Sequence, residues 1–326
     1  MPADETFHSS GSPKSAQSNE AAHLVVRSSY QTHYEGEVSN TKFLSRIQDT
    51  VVVHSRVGIE DDEPADHENI ADLTLVKKAL EGFPSANVAE FLVACFFRHS
   101  EANYYFMNRV QFQERLNRLY LDGLHADSES DPSLIALALM VFAMGSQFAH
   151  LQTSNMRQTT PPTSVHKQGP GMVFYLKAKF LLPDIITQCT LEGIQVCFLT
   201  ALFLLPSNST DLSYVYHGMA MKMAIASGLH RKTSGGDLDP IDIEVRNRLW
   251  WSLYVSERRL SIILDRPETI KEEDIDTPFP DICEALDLLG GNNNLGNLQA
   301  SIRLMSLFNR AVKYSNIFCL IIAVQN

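Results

Sequence analysis

Along most of the chain after Phe83, apolar residues recur at intervals of three and four positions. The pattern runs through the segments ANVAEFLVACFFRHS, DPSLIALALMVFAMGSQFAHLQ and GMVFYLKAKFLLPDIITQ. This spacing is the period of an α-helix that buries one face. Little of this part alternates with the period of two that marks a strand. We therefore predict an all-α fold, with a multi-helix domain over residues 83–326.

The first 82 residues differ in composition from this helical part. Residues 1–30 are rich in Ser, Ala and Glu and lack the apolar stretch of a secretory signal, so we expect a disordered tail. Residues 31–82 form a lead-in segment that contains the acidic stretch IEDDEPADHENIAD. This stretch lacks the glycine and the closing glutamate of a calcium-binding loop. We predict that it is a solvated loop or linker.

The charge and the cysteines restrict the partners of the chain. It has 27 Lys and Arg against 38 Asp and Glu, a net charge of −11, and a field of this sign repels phosphate backbones. The longest apolar run, Gly193–Leu205, is shorter than the roughly 20 residues of a membrane span. The cysteines form no CxxC pair, which indicates reduced thiols in an intracellular protein. They are Cys95, Cys189, Cys197, Cys283 and Cys319. We expect no metal site, no membrane contact and no DNA binding by this chain alone.

Two helices carry clear start and stop signals. One can begin at the capping residues 209–211 and end at Gly228, which can adopt the left-handed conformation after a helix. The other has Asp239 as N-cap and Pro240 at its first position, and Asp265-Arg266-Pro267 ends it.

The second of these helices contains both tryptophans and several arginines. On a helical projection, one face is an apolar stripe formed by Leu249, Trp250, Leu253, Leu260, Ile263 and Leu264. The other faces hold Arg248, Ser252, Val255, Arg259 and Ile262. A helix that reads DNA would present polar residues to the groove, so this pattern favours a core helix. We predict that Trp250 is a core anchor, that Trp251 is more peripheral, and that the arginines form a solvated or ion-paired side.

One charged residue, Glu257, falls on the apolar stripe. A buried carboxylate needs a partner. Burial without one costs on the order of several kcal/mol or forces the carboxylate to take up a proton. Arg266, Arg231 and His230 are the candidate partners. Glu257 is either a structural ion-pair residue or a binding or switch residue.

Two long stretches carry a family resemblance. GMAMKMAIASGLHRK (218–232) is followed by EVRNRLWWSLYVSERRLSIILDRPETIKEEDIDTPFPD (244–281). Together they resemble the middle homology region of fungal zinc-cluster transcription factors, a regulatory domain also found in xylanolytic activators. Upstream, THYEGEVSNTKFLSRIQ resembles the signature that precedes this domain. The resemblance covers most of residues 32–281.

The resemblance implies an all-α regulatory domain of the middle-homology type that senses an effector in a nuclear transcription regulator. It also implies protein partners in transcription complexes, as a homodimer or with a full-length related factor, and a small-molecule effector. The effector site is not identified by the motifs. The residues that match the family pattern are Gly218, Gly228, His230, Arg231, Arg246, Trp250, Glu257, Arg266 and Pro267.

The chain departs from the family pattern in four ways. Glu257 stands where the family has an aspartate, and Asp265 stands where it usually has the glycine of a G-R-P turn. The family's six-cysteine zinc cluster, which reads DNA, has no counterpart, since the first cysteine is Cys95. Zinc is therefore a family property that we expect this chain to lack. The chain also ends inside an apolar helical run, as in a domain truncated at its C-terminus.

Catalytic motifs give no support for an enzyme. There is no G-x-S-x-G elbow and no H-E-x-x-H helix, and the glycines of LLGGNNNLGN lack a preceding strand and a following lysine. We predict a transcription regulator that is nuclear by its resemblance, with the cytoplasm as the alternative location. The alternative function is a small-molecule-binding or catalytic helical protein that reuses the fold.

Overall fold

The computed structural model describes residues 23–28, 31–35, 73–125, 131–153, 169–207, 209–233, 238–287 and 294–324. The acidic stretch at 59–72 and most of the predicted tail lie outside these residues. The chain divides into two compact units, Met1–His23 with Glu35–Gly58 and Leu24–Tyr34 with Ile59–Asn326. The fold described below is that of the second unit.

Helices dominate the described part of the chain from Leu73 onward, which confirms the predicted all-α fold. In chain order they are α1 (Leu73–Leu80), α2 (Ala86–His99), α3 (Arg109–Leu121), α4 (Pro132–Thr153), α5 (Met172–Lys179), α6 (Leu182–Gln188), α7 (Leu191–Leu204), α8 (Thr210–Ala226), α9 (Pro240–Leu264), α10 (Glu284–Asp287) and α11 (Leu295–Val324). Two 3-10 turns, Leu205–Ser207 and Glu272–Asp274, follow α7 and α9.

Two short strands precede the helices. Strands β1 (His23–Ser28) and β2 (Gln31–Glu35) pair in a two-stranded sheet. Strand β1 lies within the segment that we predicted as a disordered tail, so that prediction is wrong for these six residues. Its two consecutive valines, Val25 and Val26, are a strand signal that the tail's overall composition obscured.

Helices α4 and α7 form the centre of the core. Residues 132–145 of α4 and 192–201 of α7 are buried without a break, so both helices are covered on every side. Helix α4 packs against α2, α5 and α7, and α7 packs against α8. By length and composition alone α4 could cross a membrane, but 67% of its apolar window is buried inside the protein, as in a core helix.

The close packing of α2 on α4 depends on a glycine. A Cβ atom added to Gly145 would lie 2.2 Å from the carbonyl oxygen of Leu92, which is far inside van der Waals contact. Only a residue without a side chain lets the two backbones approach this closely. This contact fixes the position of α2 over the middle of the domain.

The C-terminus of α8 and the N-terminus of α9 are as the sequence predicts. Gly228 has φ = 73°, and the amides of Gly228 and Leu229 donate to the carbonyls of Ile225 and Ala224, which is the Schellman pattern. Helix α9 begins as predicted, since the Asp239 side chain caps its N-terminus by accepting a hydrogen bond from the Ile241 amide at 3.0 Å.

The end of α9 explains a departure from the family pattern. Asp265 has φ = 49°, and its amide and that of Arg266 donate to the carbonyls of Ile262 and Ser261. The turn therefore needs the left-handed conformation that glycine adopts most easily and that Asp tolerates better than most other residues. The substitution keeps the turn, and Pro267 follows it.

Helix α9 is buried far more completely than its amphipathic pattern predicts. Residues 245–258 are buried without a break, including Arg248, Ser252 and Val255, which we had placed on the outer faces. The predicted stripe is correct up to Leu260, but Ile263 is 69% exposed. The outer faces are covered because residues 270–287, here called the return segment, fold back along the helix, and α11 packs beside it.

Candidate functional site

Three segments that carry the family resemblance meet in the structure. The hydroxyl of Thr32, in β2, donates to the carbonyl of Ser227 at 2.8 Å. The ring of Tyr34 lies edge-on to His230, with 5.0 Å between centroids. The upstream signature thus contacts the turn that follows α8, although 195 positions separate Thr32 from Ser227.

The return segment closes the same turn from the other side. The amides of Asp276 and Thr277 donate to the carbonyl of His230 at 3.1 and 3.3 Å. The Thr277 hydroxyl donates to the carbonyl of Leu229 at 2.5 Å. These bonds satisfy buried carbonyls that the left-handed turn leaves unpaired, and they join the turn to the return segment.

Two buried residues of α9, Arg246 and Trp250, contact the same turn. Arg246 is buried, and its Nη2 donates to the carbonyl of Ser227 at 2.7 Å. Burial lowers the pKa of Arg246 to about 10, against the opposing effect of Asp242. The His230 ring lies 5.9 Å from that of Trp250, and burial and then Arg231 lower the pKa of His230 to about 4. The motif residues Gly228, His230, Arg246 and Trp250 therefore form one packed signature cluster.

A buried arginine that the family pattern did not single out organises the outer side of α9. Arg248 is 2% exposed; its Nε lies 2.7 Å from Glu244 Oε1 and its Nη1 lies 2.7 Å from Asp287 Oδ1. Its Nη2 donates to the carbonyl of Asp281 at 2.7 Å. Burial alone would lower the pKa of Arg248, but the hydrogen bonds to Asp287 and Glu244 raise it above the ordinary value. The arginine therefore ties the return segment to α9.

Glu257 is buried as predicted, but its partners differ from those we predicted. Oε1 accepts hydrogen bonds from the Ser261 hydroxyl at 3.1 Å and the Thr269 amide at 2.9 Å. The nearest cation is Arg258, whose Nη1 lies 3.8 Å from Oε2.

The three expected partners are engaged elsewhere. Arg266 pairs with Asp211, and Arg231 pairs with Asp276 at 3.7 Å. His230 belongs to the signature cluster. The predicted partners are therefore wrong, because chain proximity to the helix end did not determine which arginine faces the carboxylate.

Glu257 lines a cleft between α8 and α9 with a volume of about 420 Å³. Val215, Met219 and Leu260 give the cleft apolar walls, and Gly218 also borders it. The motif residues Gly218 and Glu257 are thus brought together, apart from the signature cluster. Volumes of this size are typical of sites for small molecules.

A second buried polar group borders the cleft. His217 is buried, and neither ring nitrogen has a hydrogen-bond partner among the described residues. Its ring meets that of Phe198 at 5.4 Å. Burial lowers the pKa of His217 to about 4, so the ring is neutral at neutral pH.

Three of the described thiols, those of Cys95, Cys189 and Cys197, are not activated as nucleophiles. Burial raises the pKa of Cys95, of Cys189 and, to about 12, of Cys197. A thiolate is the reactive form, so a raised pKa opposes this chemistry. Within the described ranges, no group of three or more His, Cys, Asp and Glu side chains could hold a metal ion.

The fold and these groups define a class: a helical domain with a tightly packed motif cluster and a small-molecule-sized cleft. The chain belongs to the fungal-specific transcription factor domain family, whose sequence model matches residues 93–319. This confirms the resemblance seen in the motifs. No solved structure was found to match the chain.

The curated relatives are transcription regulators of fungi. An uncharacterised transcriptional regulatory protein of Schizosaccharomyces pombe is 30% identical over 294 residues, which are 89% of this chain and 36% of that protein. The thiamine repressible genes regulatory protein thi1 of the same species is 27% identical over 293 residues, which are 88% of this chain and 36% of that protein. Activator of stress genes 1 of Saccharomyces cerevisiae is 29% identical over 54% of this chain and 18% of its own length. The chain spans about a third of the length of the first two relatives.

Proposed function

We propose that this chain acts as the regulatory, effector-sensing part of a nuclear transcription regulator and is not an enzyme. The observation that carries the proposal is the family match over residues 93–319, which covers α4 to α9 and both groups of motif residues. The buried thiols, with their raised pKa values, fit a binding role better than a catalytic one. Its partners would be proteins of transcription complexes, a second copy of the chain or a related full-length factor.

A reporter assay tests this proposal. The chain is inserted between a heterologous DNA-binding domain and an activation domain, and reporter output is compared with that of the two domains joined directly. We expect the folded chain to change the output several-fold. The matched control carries Trp250→Ala, which removes a fully buried core side chain and should abolish the effect. Equal output from the inserted chain, the control and the direct fusion would refute a regulatory role.

We also propose that this chain contributes neither zinc nor direct DNA contacts. The net charge of −11 opposes phosphate binding, and among the described residues no group of three or more His, Cys, Asp and Glu side chains could hold a metal ion. Fluorescence anisotropy with a panel of CGG-repeat duplexes at moderate salt should show only non-specific affinity, and metal analysis should find far less than one zinc per chain. Sequence-dependent binding that EDTA abolishes would contradict both statements.

A second candidate, a small-molecule-binding or catalytic protein, has one observation in its favour, which is the cleft between α8 and α9. Catalysis would need a convergent set of acid, base or nucleophilic groups in that cleft. The polar side chains there are those of Glu257, His217, Lys222, Tyr214 and Thr269, and Glu257 accepts hydrogen bonds from Ser261 and Thr269. The cleft therefore supports binding more strongly than turnover.

A further inference from the structure

We propose that the cleft between α8 and α9 binds a small, largely apolar molecule that carries a protonated amine, and that Glu257 receives the amine. The inference deepens the proposed function and depends on it for its regulatory meaning. It names the chemical class of the effector and the residue that recognises it.

The walls of the cleft fit the apolar part of such a ligand. Val215, Met219 and Leu260 line it, and Val215 is 54% exposed on its rim. A ligand that covers these side chains removes apolar surface from water, which is the main source of affinity in a site of this size. Tyr214 also lines the cleft.

Glu257 supplies an acceptor that the protein itself leaves partly unused. The side chain is 3% exposed, and Oε2 has no hydrogen-bond partner among the described residues. A buried carboxylate oxygen without a donor is costly, since folding has removed it from water. A ligand donor that reached Oε2 would recover this lost interaction, which makes Glu257 the group most suited to recognition.

The charges around Glu257 favour a cation over a neutral donor. Arg258 Nη1 lies 2.7 Å from Glu268 Oε2 and 3.8 Å from Glu257 Oε2, so two carboxylates share one guanidinium. His217 is neutral at neutral pH and adds no positive charge. This local group therefore carries one net negative charge, which an ammonium would balance.

The remaining cations near the cleft do not reverse this balance. Arg266 lies over the Tyr214 ring at 4.3 Å and is paired with Asp211. Lys222 lines the cleft, but it is exposed to solvent, where salt and water screen its field. An anionic ligand would have to approach the buried carboxylate, which like-charge repulsion opposes.

Gly218 offers a way to fill the cleft without disturbing the core. A Cβ at this position would meet no atom within 4 Å, and the residue lies inside α8, where glycine is a weak helix former. Gly218→Leu should therefore block the cleft and leave the fold intact. Gly296, in α11, also has open space at its Cβ, so Gly296→Leu is a matched control away from the cleft.

The test is isothermal titration of the whole chain with tryptamine, an indole that carries an ethylammonium group, and with its neutral analogue indole-3-ethanol. We expect saturable binding of tryptamine to the native chain and to Gly296→Leu, and none to Gly218→Leu. Glu257→Gln keeps the shape of the side chain and removes its charge. It should weaken tryptamine binding about tenfold or more and leave indole-3-ethanol binding almost unchanged, since a hydrogen bond between charged groups is about twice as strong as one between neutral groups.

Several outcomes would overturn the inference. The first is no saturable tryptamine binding by the folded native chain. The second is equal tryptamine affinity of the native chain and Gly218→Leu, because the ligand would then occupy another place. The third is an equal loss for tryptamine and indole-3-ethanol in a Glu257→Gln protein whose circular dichroism is native. Each result leaves the reporter assay unaffected, so failure of the ligand inference is separate from failure of the regulatory function.

Discussion

Replacing Trp250 with alanine is expected to lower the free energy of unfolding by about 3–5 kcal/mol. The side chain is fully buried in the hydrophobic core, beside Leu249 and Leu253 and against the His230 ring. Its removal leaves a cavity that the covered helix α9 cannot collapse to fill. Because the total stability of a domain is only about 5–15 kcal/mol, the variant should be largely unfolded or molten.

Urea denaturation followed by circular dichroism measures this effect, and two variants serve as comparisons. Trp250→Phe keeps an aromatic ring and most of the volume, and the indole N–H that it removes has no partner among the described residues, so we expect a much smaller loss. Trp251→Ala should also cost less, because Trp251 lies at the edge of the core, where it packs on the exposed Phe279 and donates to the carbonyl of Pro278. A larger loss in Trp251→Ala than in Trp250→Ala would show that our assignment of the core face is wrong.

Replacing Arg248 with alanine is expected to cost a comparable amount, about 3–5 kcal/mol. The helical pattern alone predicts that this change leaves the fold largely intact, whereas the burial and ion pairs of Arg248 predict a large loss of stability. The substitution would leave Glu244 and Asp287 without their buried counter-charge and would remove the bond to the Asp281 carbonyl. Unpaired carboxylates in a poorly solvated site cost more than the loss of one surface ion pair.

The matched control is Arg310→Ala, which removes the same charge from an exposed position in α11. We expect its loss to stay within about 0.5 kcal/mol, as for other surface substitutions. Proteolysis gives a second measurement, since freeing residues 281–287 from Arg248 should expose the return segment to cleavage before the core unfolds. If Arg248→Ala and Arg310→Ala melt together with equal protease resistance, the network does not hold the return segment.

Trp250 and Arg248 lie on different sides of α9, and we therefore expect their substitutions to have different consequences. Trp250 supports both the core and the cluster around His230. Arg248 acts on the outer side of α9, where the return segment is attached by Asp287 and by the Asp281 carbonyl. Loss of Trp250 should therefore remove the whole domain, whereas loss of Arg248 should first release one covering layer.

Part of the candidate site follows from local sequence. The resemblance identifies four motif residues, Gly228, His230, Arg246 and Trp250. The structure shows that they pack together. The acidic position Glu257 is correctly predicted as buried. The cleft is not predictable in this way, because its walls come from α8 and α9 and its volume depends on how far apart the two helices pack.

Local signals in the sequence specify the helices and their ends. The intervals of three and four residues specify α-helical faces, Asp239 and Pro240 start α9, and the left-handed residues Gly228 and Asp265 end α8 and α9. These signals act between neighbours in the chain, where hydrogen-bond geometry and allowed backbone angles are decided within one turn. That is why they can be read without knowledge of any distant contact.

Packing between distant elements determines which outer face of α9 is solvated and which charged side chains form pairs. The stripe on α9 marks the face that must be buried, but it contains no information on what covers the opposite side. The return segment and α11 cover it, and so Arg248 and Arg258 are buried and paired. The partners of Glu257 likewise come from Ser261, Thr269 and Arg258 rather than from Arg266. Side-chain pairing of charges depends on distances between elements, which arise only when the helices and the return segment have packed together.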